Sequence, residues 1–466
     1  MRIIRFDNKG WRTRFDRGFD EQNVARAADA FAYIWAETNP GGTVLVGYDT
    51  RFRGKDFAEV VGGVLASYGL RAMVSDASCP TPALGWSVAR DEQAVGAVVI
   101  TASSASCEYG GISARGADGG PMSSEFYEVA TKIVSSVPIR DRGEVEHVDL
   151  MGPYLAHVMG SVDASAIADW APSIVVDPMY GAAQGYVCDL LSQMGCRVSQ
   201  IHGDPDTNFG GLHPSPVEPW VDKCEQAVLQ TGGAFGIAFD GDADRLGMVD
   251  ERGVFVEPYR VAPLVLDHLV SERQQHGRVV SPYACSAYIR RQAARLGCPL
   301  TAVPMGFTRI YHELLEGDVV LGTEGLGGIS VPSHLNERDG IFAALLLVEA
   351  CAQRQVGIAE LVQDMESSIG SMHHVNKNIR LDPASIQSFR NILPGLNLRD
   401  VCGREPIYVG HADGLVLRFD DDSWVQLRPS RTESLVRAHA EAPNTRQAEN
   451  MVEAACKSAL QRLPLW

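Results

Sequence analysis

The sequence predicts an α/β protein: three α/β units in succession, then a smaller α+β unit. Three observations carry this reading. Short apolar runs rich in Val and Ile alternate with stretches of helical spacing, the pattern of parallel strands covered on both faces. The pattern restarts twice along the chain. Beyond about residue 370 it gives way to short strands and one terminal helix.

The elements follow in order. Residues 43–47 read as a buried strand ending in a turn, 57–68 as a helix stopping at Gly69, and 94–100 (AVGAVVI) as another buried strand. The second unit opens with the strand 173–177, turns at Gly181, and continues with a helix over 185–194 and the strand 235–239. The third has strands over 278–280 and 319–321, a helix over 288–296 and a long buried helix over 339–354. The last has strands over 415–419 and 424–427 and a final helix from about Thr445. These restarts place the units at 1–146, 147–254, 255–370 and 371–466.

Composition narrows the function. The chain has 466 residues, 45% hydrophobic and 21% charged, a length that suggests three or four domains. No run approaches the ~18 apolar residues of a membrane span, so no membrane partner is expected. The N-terminus, MRIIRFDNKGWRTRF, has no apolar core of a signal peptide. Lys+Arg number 41 against 58 Asp+Glu, a net charge of -17. With no basic run, nucleic acid is not an expected partner. A small anion remains possible where a few basic groups converge. Ten scattered cysteines form no CxxC pair, which argues against zinc. They fit a cytoplasmic protein with free thiols.

Four loops carry candidate chemistry. Asp240-Gly241-Asp242-Ala243-Asp244-Arg245 follows the strand FGIAF. Three carboxylates at alternate positions can converge on one hard cation, and oxygen ligands suit Mg²⁺. An unliganded acidic turn is the plain alternative, but its charges would repel. Thr101-Ala102-Ser103-Ser104-Ala105-Ser106 ends the strand AVGAVVI; a serine there suits phosphoryl transfer, or is an ordinary Ser-rich turn. Arg428 to Ser434 (RPSRTES) offers arginines and hydroxyls for a phosphate, or a charged surface turn. Gly322 to Gly328 is Gly-rich around Glu324, which could accept hydrogen bonds from sugar hydroxyls.

Together these loops resemble the α-D-phosphohexomutase family, which includes phosphoglucomutases and phosphomannomutases. The resemblance covers nearly the whole chain. Phe6 to Arg12 (FDNKGWR) is similar to the family's FGTDGWR, Val46 to Arg51 to VVGYDTR, and Pro80 to Ala83 to PTPA. Thr101 to Ser113 aligns with TASHNPxxYNGIK, Asp240 to Arg245 with DGDADR, Gly322 to Ile329 with GGEESGGI, and Arg428 to Ser434 with RPSGTEP. The resemblance implies three similar mixed-sheet α/β domains and a smaller C-terminal α+β domain around a central cleft. It implies a phosphorylated Ser103 that exchanges its phosphoryl group with a sugar phosphate through a bisphosphate. Mg²⁺ would sit on Asp240, Asp242 and Asp244, with Ser103 completing the set. Arg12 and Arg245 would support the phosphoryl group or the serine. Glu324, Thr308 and Arg309 would face the sugar, and Arg428, Ser430, Arg431 and Thr432 its non-reacting phosphate. A sugar bisphosphate would serve as activator, and the assembly would be a monomer or homodimer.

The departures fall at functional positions. His-Asn-Pro after the serine is Ser104-Ala105-Ser106, and the Lys closing that loop is Ser113. The Lys of a GFK pattern is Thr308, beside Arg309. The sugar-loop Ser is Leu326, before Gly327-Gly328, and the phosphate-loop Gly and Pro are Arg431 and Ser434. Three explanations fit: a mutase for a non-standard sugar phosphate, a phosphatase or bisphosphate-forming phosphotransferase on the same scaffold, or a non-catalytic sugar-phosphate binder. A binder needs neither the serine nor three carboxylates, so the first is the leading expectation. His334 is read as a residue approaching a helix, His373-His374 as surface, and Trp11 as packing.

Overall fold

The computed structural model describes residues 3–325, 327–430 and 433–463. Among them are four sheets in chain order. The first has six strands, in spatial order Trp11–Arg14, Tyr109–Gly116, Ala94–Ile100, Thr43–Tyr48, Arg71–Ser75 and Glu146–Val148. The second is built round Ser173–Asp177 and Phe235–Phe239, the third round Arg278–Pro282 and Val319–Thr323. The fourth is antiparallel, running from the edge strand His373–Arg380 through Leu435–Ala442 and Trp424–Pro429.

The interior strands of the first three sheets pair in parallel, as their apolar runs predict. The sheets as wholes are mixed, because each carries an antiparallel return. Tyr109–Gly116 runs back along Ala94–Ile100, Leu246–Asp250 along Phe235–Phe239, and Ile329–Ser330 along Val319–Thr323. The connecting loops are too short for a parallel crossover, so the chain must reverse. The serine, acidic and Gly-rich loops are these three reversals. The loop after Trp424–Pro429 is a fourth, leading into the antiparallel Leu435–Ala442. Each candidate loop is thus the turn of a hairpin rooted in a sheet.

The helices follow their sequence signals. Asp339 caps the buried helix Gly340–Arg354 by accepting from the Phe342 amide. Gly54–Ser67, Tyr186–Gln193, Ala287–Arg295 and Thr445–Leu460 lie where helical spacing predicts. The helix Glu21–Thr38, capped by Asp20, has no counterpart among the expected elements. Its buried face is mostly alanine (Ala25, Ala28, Ala32), which weakens the apolar periodicity.

One apolar core runs through the first three units, from Leu45 and Leu84 through Ile174 and Phe239 to Leu321 and Leu345. The fourth unit has its own, around Phe389, Leu417, Val425 and Met451. All ten cysteines are free thiols. Among the described residues, no single helix is long and apolar enough to cross a membrane.

Candidate active site

The serine loop is held from below by Arg51. This buried guanidinium pairs with Asp49 at 3.1 Å and donates to the carbonyls of Ala105 (2.7 Å), Ser106 (2.8 Å), Tyr109 (3.2 Å) and Ser103. Asp49 also accepts from Thr101 Oγ1 at 2.6 Å, and that oxygen accepts from the Ser103 amide at 2.8 Å. Ser103 is thereby fixed in the left-handed region at φ 50°. That costs energy for a residue with a Cβ, and the surrounding bonds over-determine it. Its Oγ donates to Asp240 Oδ2 at 2.9 Å.

The acidic loop packs backbone to backbone on the serine loop. A Cβ at Gly241 would lie 2.6 Å from the Ser103 carbonyl oxygen, so only glycine fits. Asp240, Asp242 and Asp244 are all buried, and one carboxylate oxygen from each falls within 4.8 Å of the others. Asp242 Oδ1 and Asp244 Oδ1 have no hydrogen-bond partner. Burial, then repulsion from its two neighbours, raises the Asp240 carboxyl well above its ordinary range; burial and Asp244 raise Asp242. Against the cost of burial, Arg338 and Arg245 hold Asp244 below its ordinary value. Orphaned oxygens and carboxylates strained by like charge are what a hard divalent cation would relieve. The donor set therefore fits Mg²⁺.

Basic groups surround the pair of loops. Arg245 donates to Ser104 Oγ at 2.8 Å and stands 3.8 Å from both Asp240 and Asp244. Arg338 pairs with Asp244 at 2.5 Å, Glu324 at 3.0 Å and Glu337 at 3.4 Å. Arg115 pairs with Glu337 at 3.2 Å. Arg12 donates to the Ala102 carbonyl at 3.2 Å. Ser103, Arg12, Arg245 and Thr308 line one cleft with Lys9, Arg115, Phe307 and Arg338. A site opening on these cations in front of a serine and three carboxylates is built to receive a phosphoryl group.

The other sequence candidates sit as follows. Glu324 bonds Arg338 and borders a second, more apolar cavity with Tyr259, His374 and Trp424. Arg309 is exposed on the helix Phe307–Leu314 and does not line the cleft. Arg428 lies near the end of the strand Trp424–Pro429 and Ser430 just after it, both apart from the cleft lining; Arg428 contacts Met305 of the third unit, and Ser430 Oγ accepts from the Glu433 amide at 3.2 Å. Arg431, Thr432 and Leu326 fall outside the described residues. His374 is a correction: it is part-buried at the edge of that second cavity, with ring contacts to Tyr259 of the third unit and to Trp424 and His439 of its own sheet. His334 is buried beside His157 and Asp339, away from the cleft, and Trp11 packs on Phe19.

Sequence reasoning missed Lys9, Arg115, Glu337 and Arg338. Arg115 stands two residues beyond Ser113 on the same face of its strand and donates to Ser113 Oγ at 3.2 Å. That period-2 spacing was readable once the segment was taken as a strand. Glu337-Arg338 just before the helix-capping Asp339 gave a charge signal but no spacing rule.

Comparison with known proteins supports the fold and the family. Models of the phosphoglucomutase/phosphomannomutase alpha/beta/alpha domains I, II and III match residues 4–138, 152–253 and 257–368. A phosphoglucomutase/phosphomannomutase of Thermococcus kodakarensis is 28% identical over 89% of both chains. A phosphoglucosamine mutase of Carboxydothermus hydrogenoformans is 26% identical over 96% of this chain and 97% of its own. A solved Thermus thermophilus protein, assigned as a phosphomannomutase, superposes with a TM-score of 0.86 at 30% identity, covering 98% of this chain and 99% of its own. The three domain models in order, with that whole-length match, place the chain in the α-D-phosphohexomutase family of intramolecular phosphotransferases.

Proposed function

We propose that this phosphosugar mutase moves a phosphoryl group between the 6- (or 5-) and 1-positions of a sugar phosphate, with Ser103 as carrier and a sugar bisphosphate as intermediate and activator. The observation that carries this reading is the Ser103 hydroxyl, 2.9 Å from Asp240, at the junction of the acidic loop and the cationic cleft. In the first half-reaction the P–Oγ bond of phosphorylated Ser103 breaks as a sugar hydroxyl oxygen bonds to phosphorus. The hydroxyl proton ends on Ser103 Oγ, and the second half-reaction reverses this at the other end of the sugar. Asp240, Asp242 and Asp244 would hold Mg²⁺, which supplies Lewis-acid neutralisation of the phosphoryl oxygens when bound. Arg245, braced on Ser104, keeps the serine loop in place while the group is exchanged. Arg12 faces the same cleft, and Glu324, fixed by Arg338, orients sugar hydroxyls. Arg428, Ser430, Arg431 and Thr432 would hold the phosphate that does not react. The replacements at Ser104, Ala105, Ser113, Thr308 and Leu326 favour a non-standard sugar phosphate.

Phosphopeptide mass spectrometry tests the reading, before and after incubation with Mg²⁺ and glucose 1,6-bisphosphate. Phosphate on Ser103, with turnover lost in Ser103→Ala, is the expected result. Mg²⁺-dependent turnover that survives Ser103→Ala would replace it with direct hydrolysis.

A further inference from the structure

The cleft's cations are not all paired. Five cations line it: Lys9, Arg12, Arg115, Arg245 and Arg338. Arg115, Arg245 and Arg338 each have a carboxylate within 4.0 Å, supplied by Glu337, Asp240, Asp244 and Glu324. Lys9 and Arg12 have none among the described residues, and the Lys9 ammonium makes no hydrogen bond there either. A transferring phosphoryl group carries about two negative charges near neutral pH. Five carboxylates (Asp240, Asp242, Asp244, Glu324 and Glu337) equal the five cations in number, but Lys9 and Arg12 are the two cations with no carboxylate in ion-pair reach, so an incoming phosphoryl group finds them unpaired.

The position of Lys9 is built. It sits in a tight turn closed by reciprocal backbone bonds between Asp7 and Gly10 (2.9 and 3.0 Å), and Asp7 Oδ1 accepts from the Lys9 amide at 2.8 Å. Gly10, at φ 89°, presses the turn onto the strand Tyr109–Gly116: a Cβ there would lie 2.2 Å from the Ile112 carbonyl oxygen and 2.7 Å from Ser113 Cα. The turn that carries Lys9 therefore lies directly over Ser113. Ser113 lines the same cleft as Lys9, so a cation can reach it from either position. Lys9 keeps contact with solvent; the protein crowded around its ammonium lowers its pKa from the ordinary value, with Arg338, Arg245 and Arg12 adding to the fall against Glu324. Crowding among like charges is relieved when an anion enters.

We propose that Lys9 is a phosphoryl-binding residue of this cleft, its ammonium contacting the transferring group and supplying from the N-terminal turn the cation that the strand lacks at Ser113. The catalytic part rests on the mutase reading; the anion-binding part does not. The test reads transfer from glucose 1,6-bisphosphate to Ser103, with Mg²⁺ present. Lys9→Met should slow it ~10²-fold, the scale for removing one preorganised donor from a reacting anion. Lys9→Arg should keep most of the rate, and Lys9→Met with Ser113→Lys should recover part of it. A merely structural role would not be rescued from position 113. A second measurement needs no turnover: the rate at which the Lys9 amine is acetylated, with and without inorganic phosphate. Phosphate should protect Lys9 while leaving Lys223, which does not line the cleft, unaffected.

Transfer by Lys9→Met at the parental rate would overturn the catalytic part. Absence of phosphate protection would overturn the binding part. If the parent protein takes no phosphoryl group on Ser103, the mutase reading fails, and the protection measurement still decides whether Lys9 binds the anion.

Discussion

Replacing Arg51 by methionine tests whether the serine loop is held by the buried guanidinium beneath it. Arg51 and Asp49 have side chains only 2% and 0% exposed. Four carbonyls of the loop lean on the guanidinium, which also lies 4.8 Å from the Phe209 ring of the second unit. Methionine fills similar volume but strands Asp49 and leaves those carbonyls without their donor. Removing one partner of a buried ion pair costs ~3–5 kcal/mol. For a domain of this size that is a fall of roughly 6–20 °C in melting temperature. Arg51→Lys should fall nearly as far, since one ammonium cannot reproduce the planar fork. Differential scanning calorimetry gives the size, and phosphorylation of Ser103 reports the loop directly. Adding Asp49→Asn to Arg51→Met should restore part of the stability by removing the stranded charge, yet should not restore phosphorylation. A loss below ~0.5 kcal/mol, the range of ordinary surface changes, would refute the account.

Two further outcomes follow from charge burial. Asp242→Asn should abolish the Mg²⁺-dependent rise in melting temperature. Without Mg²⁺ it should match or exceed the parent, because one of three repelling buried carboxylates is gone; a parental Mg²⁺ response would show that the ion does not sit on this triad. The second concerns His374 and His439, whose pKa values burial depresses to about 4. The folded state then binds fewer protons than the unfolded chain between the ordinary value of about 6.5 and 4, so their stability contribution is whole above that window and lost as pH falls through it. The upper bound is ~3 kcal/mol per ring. Melting curves from pH 7 to 4 should show the loss, and His439→Gln should reduce it; flat curves would contradict the burial of these rings.

Legibility in the sequence follows the range of the physics. The interior strands could be read because burial on both faces makes Ala94–Ile100 and Phe235–Phe239 continuously apolar. Their antiparallel neighbours could not: in Tyr109–Gly116 (YGGISARG) a Cβ at Gly111 would meet the Thr101 carbonyl and one at Gly110 the Phe19 ring, so it carries glycines where a pattern would need valines. Site residues divide the same way. Ser103 and the three aspartates sit in single turns, where local spacing shows their convergence. Lys9, Arg115 and Arg338 come from three distant segments, and only the folded cleft brings them together.

On the proposed reading, that division also explains how the site would tolerate its substitutions. A nucleophile and a metal set must meet within a bond length or two, so they are confined to fixed positions on hairpin turns rooted in the sheets. A cation acts on a phosphoryl group through charge, which weakens slowly with distance and is indifferent to the backbone that supplies it. Arg115 reaches back from two residues along the strand to bond Ser113 Oγ, and Lys9 approaches from a turn pinned above that same serine. Cationic positions can therefore move between segments while Ser103 and Asp240 cannot. In this cleft, a cation missing from its usual place in the sequence does not mean positive charge missing from the site.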